Sequence, residues 1–454
     1  MLSPTGPVAV PEDTARIARA AFPKGNLYLT LRDEFGTLYA AEDFATLFSG
    51  RGRPALPSWR LALITVVQFL ENLTDRQAAE QVRARIDLKY LLGLELDDPG
   101  FHFSVLSEFR TRLIAGNAEQ VLLDRVLTRF REKGLLKLRG RQRTDSTHVL
   151  SSVRKLSRLE SVGETLRAAL NALATVAPDW LAWCPEEWFS RYGVRMEMAR
   201  MPKGQDEGRA YASLIGQDGF TLLSRLDGDE RAQLLQALPA IQVLRRMWAL
   251  QFLQDEAGVR FREGRTENAR ARFNSPYDPE AGYAAKGSLS WSGYRVHFSE
   301  TCDEDTFYAI TNVKTTEAAL TDYEAINAIH MALAERELLP GEHLLDGGYV
   351  SGDLMVRAQE KHGVKVIGPT RRNSSWQSRS GGYDVSAFKI DWEREQATCP
   401  QGHTSYYWKN LRERRGYDLM EVRFRERECQ VCPVKALCTQ AKHSGRKLTL
   451  RAQA

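Results

Sequence analysis

The sequence contains no run of about 18 apolar residues, so nothing in it reads as a membrane-spanning helix. Its start, Met1-Leu-Ser-Pro-Thr-Gly-Pro7, lacks the charged opening and apolar core of a secretory signal. The cytoplasm is therefore the simplest location. An excess of one charge is also lacking: 63 Lys and Arg stand against 58 Asp and Glu, a formal +5 that alone names no partner. Cysteine is sparse, six in 454 residues, yet four of the six crowd between positions 399 and 438. Without a secretory signal, that clustering points to metal rather than disulfides, while Cys184 and Cys302 read as packed thiols. What is present is a 43% hydrophobic fraction, which excludes a disordered chain and fills roughly two to four domains.

Residues 1–24 are proline-rich and loosely patterned, expected as a surface arm. Residues 25–132 are expected as an all-α domain. Trp59, Leu61, Leu63, Ile64, Val67, Phe69 and Leu70 form one helical run; Thr74 and Gln77 match a capping box; Ser104 reads as a cap before Leu106, Phe109 and Leu113. Arg110 and Arg112 lie off that stripe. The unit has a helix-turn-helix flavour, readable either as DNA-end recognition or as an ordinary bundle.

A strand is expected at 141–150, then a helical insertion over about 151–255. Its stripes are Leu156, Leu159, Val162, Leu166, Leu170 and Leu234, Leu238, Ile241, Leu244, Trp248. Strands follow at 290–299 and 305–313, a helix at 317–336, a strand ending at Asp346, a helix at 351–362 and a strand at 364–368. This order predicts an α/β fold over 133–398: a mixed sheet of the ribonuclease-H-like (RNase-H-like) kind, in which the first and fourth strands can be neighbours.

That topology singles out two acids. Asp145 lies in Arg141-Gln-Arg-Thr-Asp-Ser-Thr-His148 and Asp346 in His343-Leu-Leu-Asp-Gly-Gly-Tyr-Val350. Each ends a short strand where backbone can approach a bulky ligand, and paired carboxylates can hold divalent metal for phosphoryl transfer. The basic collar around Asp145, with Arg141 and Arg143, suits a polyanion. Lys286, Arg295 and His297 near the second strand could touch phosphate, as could Arg371 and Arg372; His148 reads as a strand-end histidine. Downstream, Cys399, Cys429, Cys432 and Cys438, three of them at C-x2-C-x5-C spacing, can close a zinc site in residues 399–454, with His403 as a substitute ligand.

The segments Gln142–His148, Ser275-Pro-Tyr-Asp-Pro279, Trp291-Ser-Gly-Tyr-Arg-Val-His297, Glu300-Thr-Cys-Asp303, Leu345–Val350 and the cysteines after Cys399 together resemble insertion-sequence transposases of the DDE type. The resemblance runs from about residue 25 to the end. It implies an RNase-H-like core, two Mg2+ (or Mn2+) ions, double-stranded DNA (transposon ends and target) as partner, and a homo-oligomer on DNA. Asp145 matches the family's first acid and Asp346 its second. The third is a Glu on a helix beyond the cysteine segment. Glu393, Glu395, Glu413, Glu421, Glu426 and Glu428 lie on the wrong side of that segment, and none is assigned. The expectation is a truncated transposase, defective alone. The alternative is a non-catalytic DNA-binding remnant or transposition regulator; an unrelated metal-dependent nuclease would share the acids but not the N-terminal helical unit.

Overall fold

Helix formation in the N-terminal third follows local capping and one apolar face per segment. The computed structural model describes residues 8–451, except 53–54, 153–155, 200, 203, 257, 263–274, 287–288, 370–374 and 413–417. The helices are α1 (Glu12–Ala21), α2 (Leu27–Phe35), α3 (Ser58–Leu70), α4 (Asp75–Ala84), α5 (Ile86–Leu92), α6 (Ser104–Ala115) and α7 (Gln120–Glu132). Asn26 caps α2 through Leu29 N, and Thr74 with Gln77 forms the expected capping box on α4. Trp59, Leu63, Leu88, Leu91, Leu106 and Phe109 fill the core. Three details differ from the sequence reading. The expected arm is partly helix α1, whose Ala18 is buried against Leu29 and Tyr90. Phe69 and Leu70 end α3 on its exposed side. Phe103, not Ser104, occupies the cap position of α6.

Strand β1 (Arg141–Leu150) follows, then helices α8 (Arg158–Val176), α9 (Glu186–Tyr192), α10 (Gln205–Asp227), α11 (Gln233–Gln236) and α12 (Pro239–Gln251). Val162, Leu166, Ile241, Leu244 and Trp248 meet in a core of their own, so the insertion packs as expected. Leu234 is the exception, 85% exposed, because the chain turns between α11 and the proline that opens α12. A hairpin of β2 (Phe252–Asp255) and β3 (Gly258–Phe261) closes the insertion.

The chain then supplies β4 (Gly282–Lys286), β5 (Leu289–Thr301), β6 (Ile310–Glu317), α13 (Asp322–Glu335), β7 (Glu342–Leu345), α14 (Gly352–His362) and β8 (Lys365–Ile367). The sheet runs β4-β5-β1-β7-β8, with β6 also paired to β5. Strand β1 is antiparallel to β5 and parallel to β7, so the first and fourth strands of the expected order are indeed neighbours, in a mixed α/β sheet. The strand expected at 305–313 starts later. Its first residues instead form a turn, from which Asp303 accepts the Arg141 amide. Helix α13 starts at Asp322 because Thr321 and Glu324 cap it reciprocally. Ile326, Ile329 and Leu333 of α13, Leu354 and Ala358 of α14, Val366 of β8 and Leu127 of α7 form the core beside the sheet.

Contacts divide the chain into two units, Met1–Pro369 and Thr370–Ala454. The second unit contains α15 (Trp376–Arg379), β9 (Lys389–Asp391), β10 (Gln396–Thr398), β11 (Tyr407–Arg412), β12 (Asp418–Arg423), α16 (Glu426–Gln430), α17 (Lys435–Cys438) and β13 (Lys447–Arg451). Strands β11, β12 and β13 form a meander over Phe388, Val422, Phe424, Leu448 and Leu450. Among the described residues no helix is long and apolar enough to cross a membrane.

Candidate functional site

Strand alternation sorts β1 into two faces. Arg143 and Asp145 are exposed, whereas Gln142 and Thr144 are buried. The parallel pairing with β7 runs from Arg141 opposite Glu342 to Thr144 opposite Leu345, and stops there. The next residue on each chain is an acid. Asp145 and Asp346, about 200 positions apart in sequence, thus each follow the last residue of this pairing on their own segment.

Asp346 opens a tight turn in which its Oδ1 accepts from Gly348 N at 2.9 Å. A Cβ on Gly348 would lie 3.0 Å from Asp346 Oδ1 and 2.9 Å from Asp322 Oδ2. The missing side chain therefore lets these two carboxylates approach one point. Asp322, in the first turn of α13, was not singled out from the sequence. The local signal was the Thr321–Glu324 capping pattern, which fixes a helix start there. Its Oδ1 accepts from Arg295 Nη1 at 2.9 Å and from Ser146 Oγ at 3.0 Å.

A buried polar layer backs the strand ends. Thr144 Oγ1 lies 2.7 Å from both Ser299 Oγ and His343 Nε2, and His343 Nδ1 lies 2.9 Å from His330 Nε2. Burial pushes His343 down to about 3 and His330 down to about 4, with the neighbouring histidines adding to the shift. Both rings are neutral near pH 7. His297 is fully buried, with Nδ1 2.6 Å from the Tyr349 hydroxyl and Nε2 3.2 Å from Thr316 Oγ1. Burial lowers its pKa and raises that of Tyr349.

The basic residues expected to meet DNA divide into two groups. Arg295 turns inward onto Asp322 and Leu320 O, and Arg110 is held by Asp75 and Gln68. Arg112 donates to Leu47 O and stacks over Phe48. Arg141 and Arg143 keep half-exposed side chains, paired with Glu342 and Glu300 respectively, on the Asp145 face. The Lys286 side chain, Arg371 and Arg372 lie outside the described residues. His148 stacks beside Trp291.

In the second unit, Cys399, Cys429, Cys432 and Cys438 line one cavity of about 30 Å³, together with His403 and Glu428. All four are free thiols. Tight turns bring them there: Gly402 N bonds Cys399 O, and Cys432 N bonds Cys429 O. Arg446 N donates to Cys429 Sγ at 3.4 Å. Burial raises the Cys429 and Cys438 thiols, and the other cysteines add to it. Glu428 Oε2 is buried with no hydrogen-bond partner beside them.

Among the described residues no three His, Cys, Asp or Glu groups already stand at metal-holding distance. The donors nonetheless fit two different cations. Asp145 and Asp346 offer hard oxygens at an exposed, glycine-cleared edge. The four thiols and an orphaned carboxylate oxygen offer a soft, half-buried pocket. Glu421, one of the acids left unassigned, is paired with Lys447 and Arg423.

Two family models match the chain. Residues 17–112 match a transposase domain (DUF772), and residues 398–454 match a transposase DDE domain. Both support an insertion-sequence DDE transposase. Asp145 and Asp346 lie outside both matched spans. Searches of curated proteins and of solved structures give no match.

Proposed function

With transposase matches toward both ends of the chain as premise, we propose that this protein cleaves and joins insertion-sequence DNA ends at the edge carrying Asp145 and Asp346. The observation that carries the reading is the parallel β1–β7 pairing, whose last residue pair, Thr144 and Leu345, is followed on each segment by an acid. The sheet order, with the first strand between an antiparallel and a parallel neighbour, supports an RNase-H-like core. Mg2+ or Mn2+ held there would supply a Lewis acid for the attacking oxygen and the leaving oxygen of a phosphodiester. Asp145 and Asp346 are its ligands. Arg141 and Arg143, on the same face as Asp145, hold the DNA backbone beside them. The glycines after Asp346 leave room for a sugar-phosphate chain. The helical unit over residues 17–112 binds the ends, and a homo-oligomer brings two ends together in the cytoplasm. In the second unit, Cys399, Cys429, Cys432 and Cys438 hold a structural zinc ion.

The test is Mg2+- or Mn2+-dependent cutting of a labelled element end. Asp145→Ala and Asp346→Ala are expected to abolish cutting while leaving end binding in gel shifts within a few fold. End binding by the unaltered protein without any metal-dependent cutting would favour the DNA-binding regulator reading, which the half-exposed arginines would equally serve.

A further inference from the structure

We propose that the cleft between α13 and α14 binds a phosphate group, and that a buried chain of hydrogen bonds carries its presence to β1. The cleft holds about 220 Å³ and is lined from Tyr323 to His330 on α13 and from Leu354 to His362 on α14. Its charges are unbalanced. Arg357 and Lys361, one turn apart on α14, are both exposed. Arg357 donates to the Tyr323 hydroxyl at 2.6 Å and to Asp353 O at 3.2 Å, and neither cation has a carboxylate partner among the described residues. Glu324, the acid in the lining, already accepts from Thr321 N and Oγ1 at 3.0 and 2.7 Å. The negative end of α14 would repel an anion, but Arg139 meets it by donating to the carbonyls of His362 and Gly363.

The inner wall is a buried donor. His330 is 1% exposed, and its ring lines the cleft. Its Nε2 is bonded to His343 Nδ1, while its Nδ1 has no hydrogen-bond partner among the described residues. A buried ring nitrogen without a partner calls for a ligand atom, and the cations on the same cleft call for an anionic one. Arg357, Lys361 and His330 are three separate donors, which suit a tetrahedral oxyanion better than a two-oxygen carboxylate. Behind His330 the chain of bonds can run in two senses, with one proton on each neutral ring. If an anion accepts from His330 Nδ1–H, Nε2 must accept from His343 Nδ1–H. His343 Nε2 then accepts from the Thr144 hydroxyl, and Thr144 Oγ1 from Ser299. With water donating to His330 Nδ1 instead, every bond reverses. An anion therefore selects one sense without changing the proton count. The selected order ends on Thr144, inside β1 and one residue before Asp145.

The test needs neither metal nor cutting. The full chain, carrying nitrogen-15-labelled histidine, is titrated with inorganic phosphate, and long-range proton–nitrogen spectra read which ring nitrogen holds the proton. His330→Gln and His343→Gln assign the signals. Both rings are expected to settle in the Nδ1–H form as phosphate binds. Lys361→Gln and Arg357→Gln, exposed positions whose folding is checked by thermal melting, are each expected to weaken the response about tenfold, as loss of one charge-assisted hydrogen bond does. A short DNA duplex in phosphate-free buffer is the second arm, because free phosphate and a DNA strand share this chemistry. A response to inorganic phosphate alone assigns the cleft to a free phosphate or phosphomonoester; a response to the duplex assigns it to a phosphate of the strand. If neither probe moves the His330 and His343 signals, or if both variants respond like the unaltered chain, the cleft is no phosphate site and the proposal fails. A response that leaves either ring in the Nε2–H form overturns the coupling to β1.

Discussion

The two donor clusters of this protein are built in opposite ways. The carboxylate edge joins residues about 200 positions apart, through sheet pairing, and leaves them exposed. The cysteine pocket joins residues within 40 positions, through turns and two short helices, and half-buries them. The first depends on the order of strands in a large sheet. The second depends on spacing along a short stretch. On the proposed reading, an edge that admits a long polyanion needs solvent access and rigid backing. On the same reading, a pocket that holds a structural ion needs neither.

Several substitutions would break or sharpen that contrast. The largest effect is expected at Gly348. A methyl there would press on Asp322 and Asp346 together, so Gly348→Ala should remove most metal-dependent cutting while melting within a few degrees of the unaltered chain. Differential scanning calorimetry beside a cutting assay checks both halves. Next, on the proposed zinc reading, a chelator should unfold the second unit selectively and release about one zinc per chain by metal analysis, and Cys429→Ser should unfold it likewise, since structural zinc binding is itself folding free energy. Hydrogen exchange should show protection lost in that unit and kept over β1, β5 and β7.

The histidine layer behind the edge gives an intermediate effect. His343 and His330 are held neutral, with pKa values depressed below their unfolded value near 6.5. Their contribution is fully present above about pH 6.5. It is lost as pH falls from there through about 4 and 3, because the unfolded chain then binds protons that the folded chain refuses. Each unit of depression is worth about 1.4 kcal/mol, so the loss should be several kcal/mol by urea unfolding across that window. His343→Gln should flatten the dependence. The smallest effect is expected at Arg143→Ala. Its exposed, solvent-screened pair with Glu300 contributes little to stability. DNA affinity should fall a few fold, with the salt slope reduced by about one.

The same contrast explains what the sequence made legible. Capping at Thr74 is a four-residue affair, and β1 and α14 match their expected spans to within a residue, because such signals are local. The convergence of four cysteines was legible from spacing. The adjacency of Asp145 and Asp346 was legible only through strand order. Asp322 was not legible at all, since nothing around Thr321-Asp322 distinguishes a helix start at an edge from any other helix start. The inward turn of Arg110 and Arg295 was hidden for the same reason. Their partners, Asp75 and Asp322, lie 35 and 27 positions away, and charge patterns along the chain do not tell an exposed arginine from one already engaged. Phe69 and Leu234 were misplaced because apolar runs do not announce where a helix turns out of its core.

The long interval between β1 and β7 also has a meaning in time. A ribosome adding about 5–20 residues per second takes roughly 10 to 40 seconds to go from Asp145 to Asp346. Throughout that interval the nascent chain carries its N-terminal helical unit and only one acid of the pair. If the proposed chemistry holds, the growing polypeptide can reach DNA before it can cut any. The gene's own length then acts as a delay line between finding a target and being armed against it.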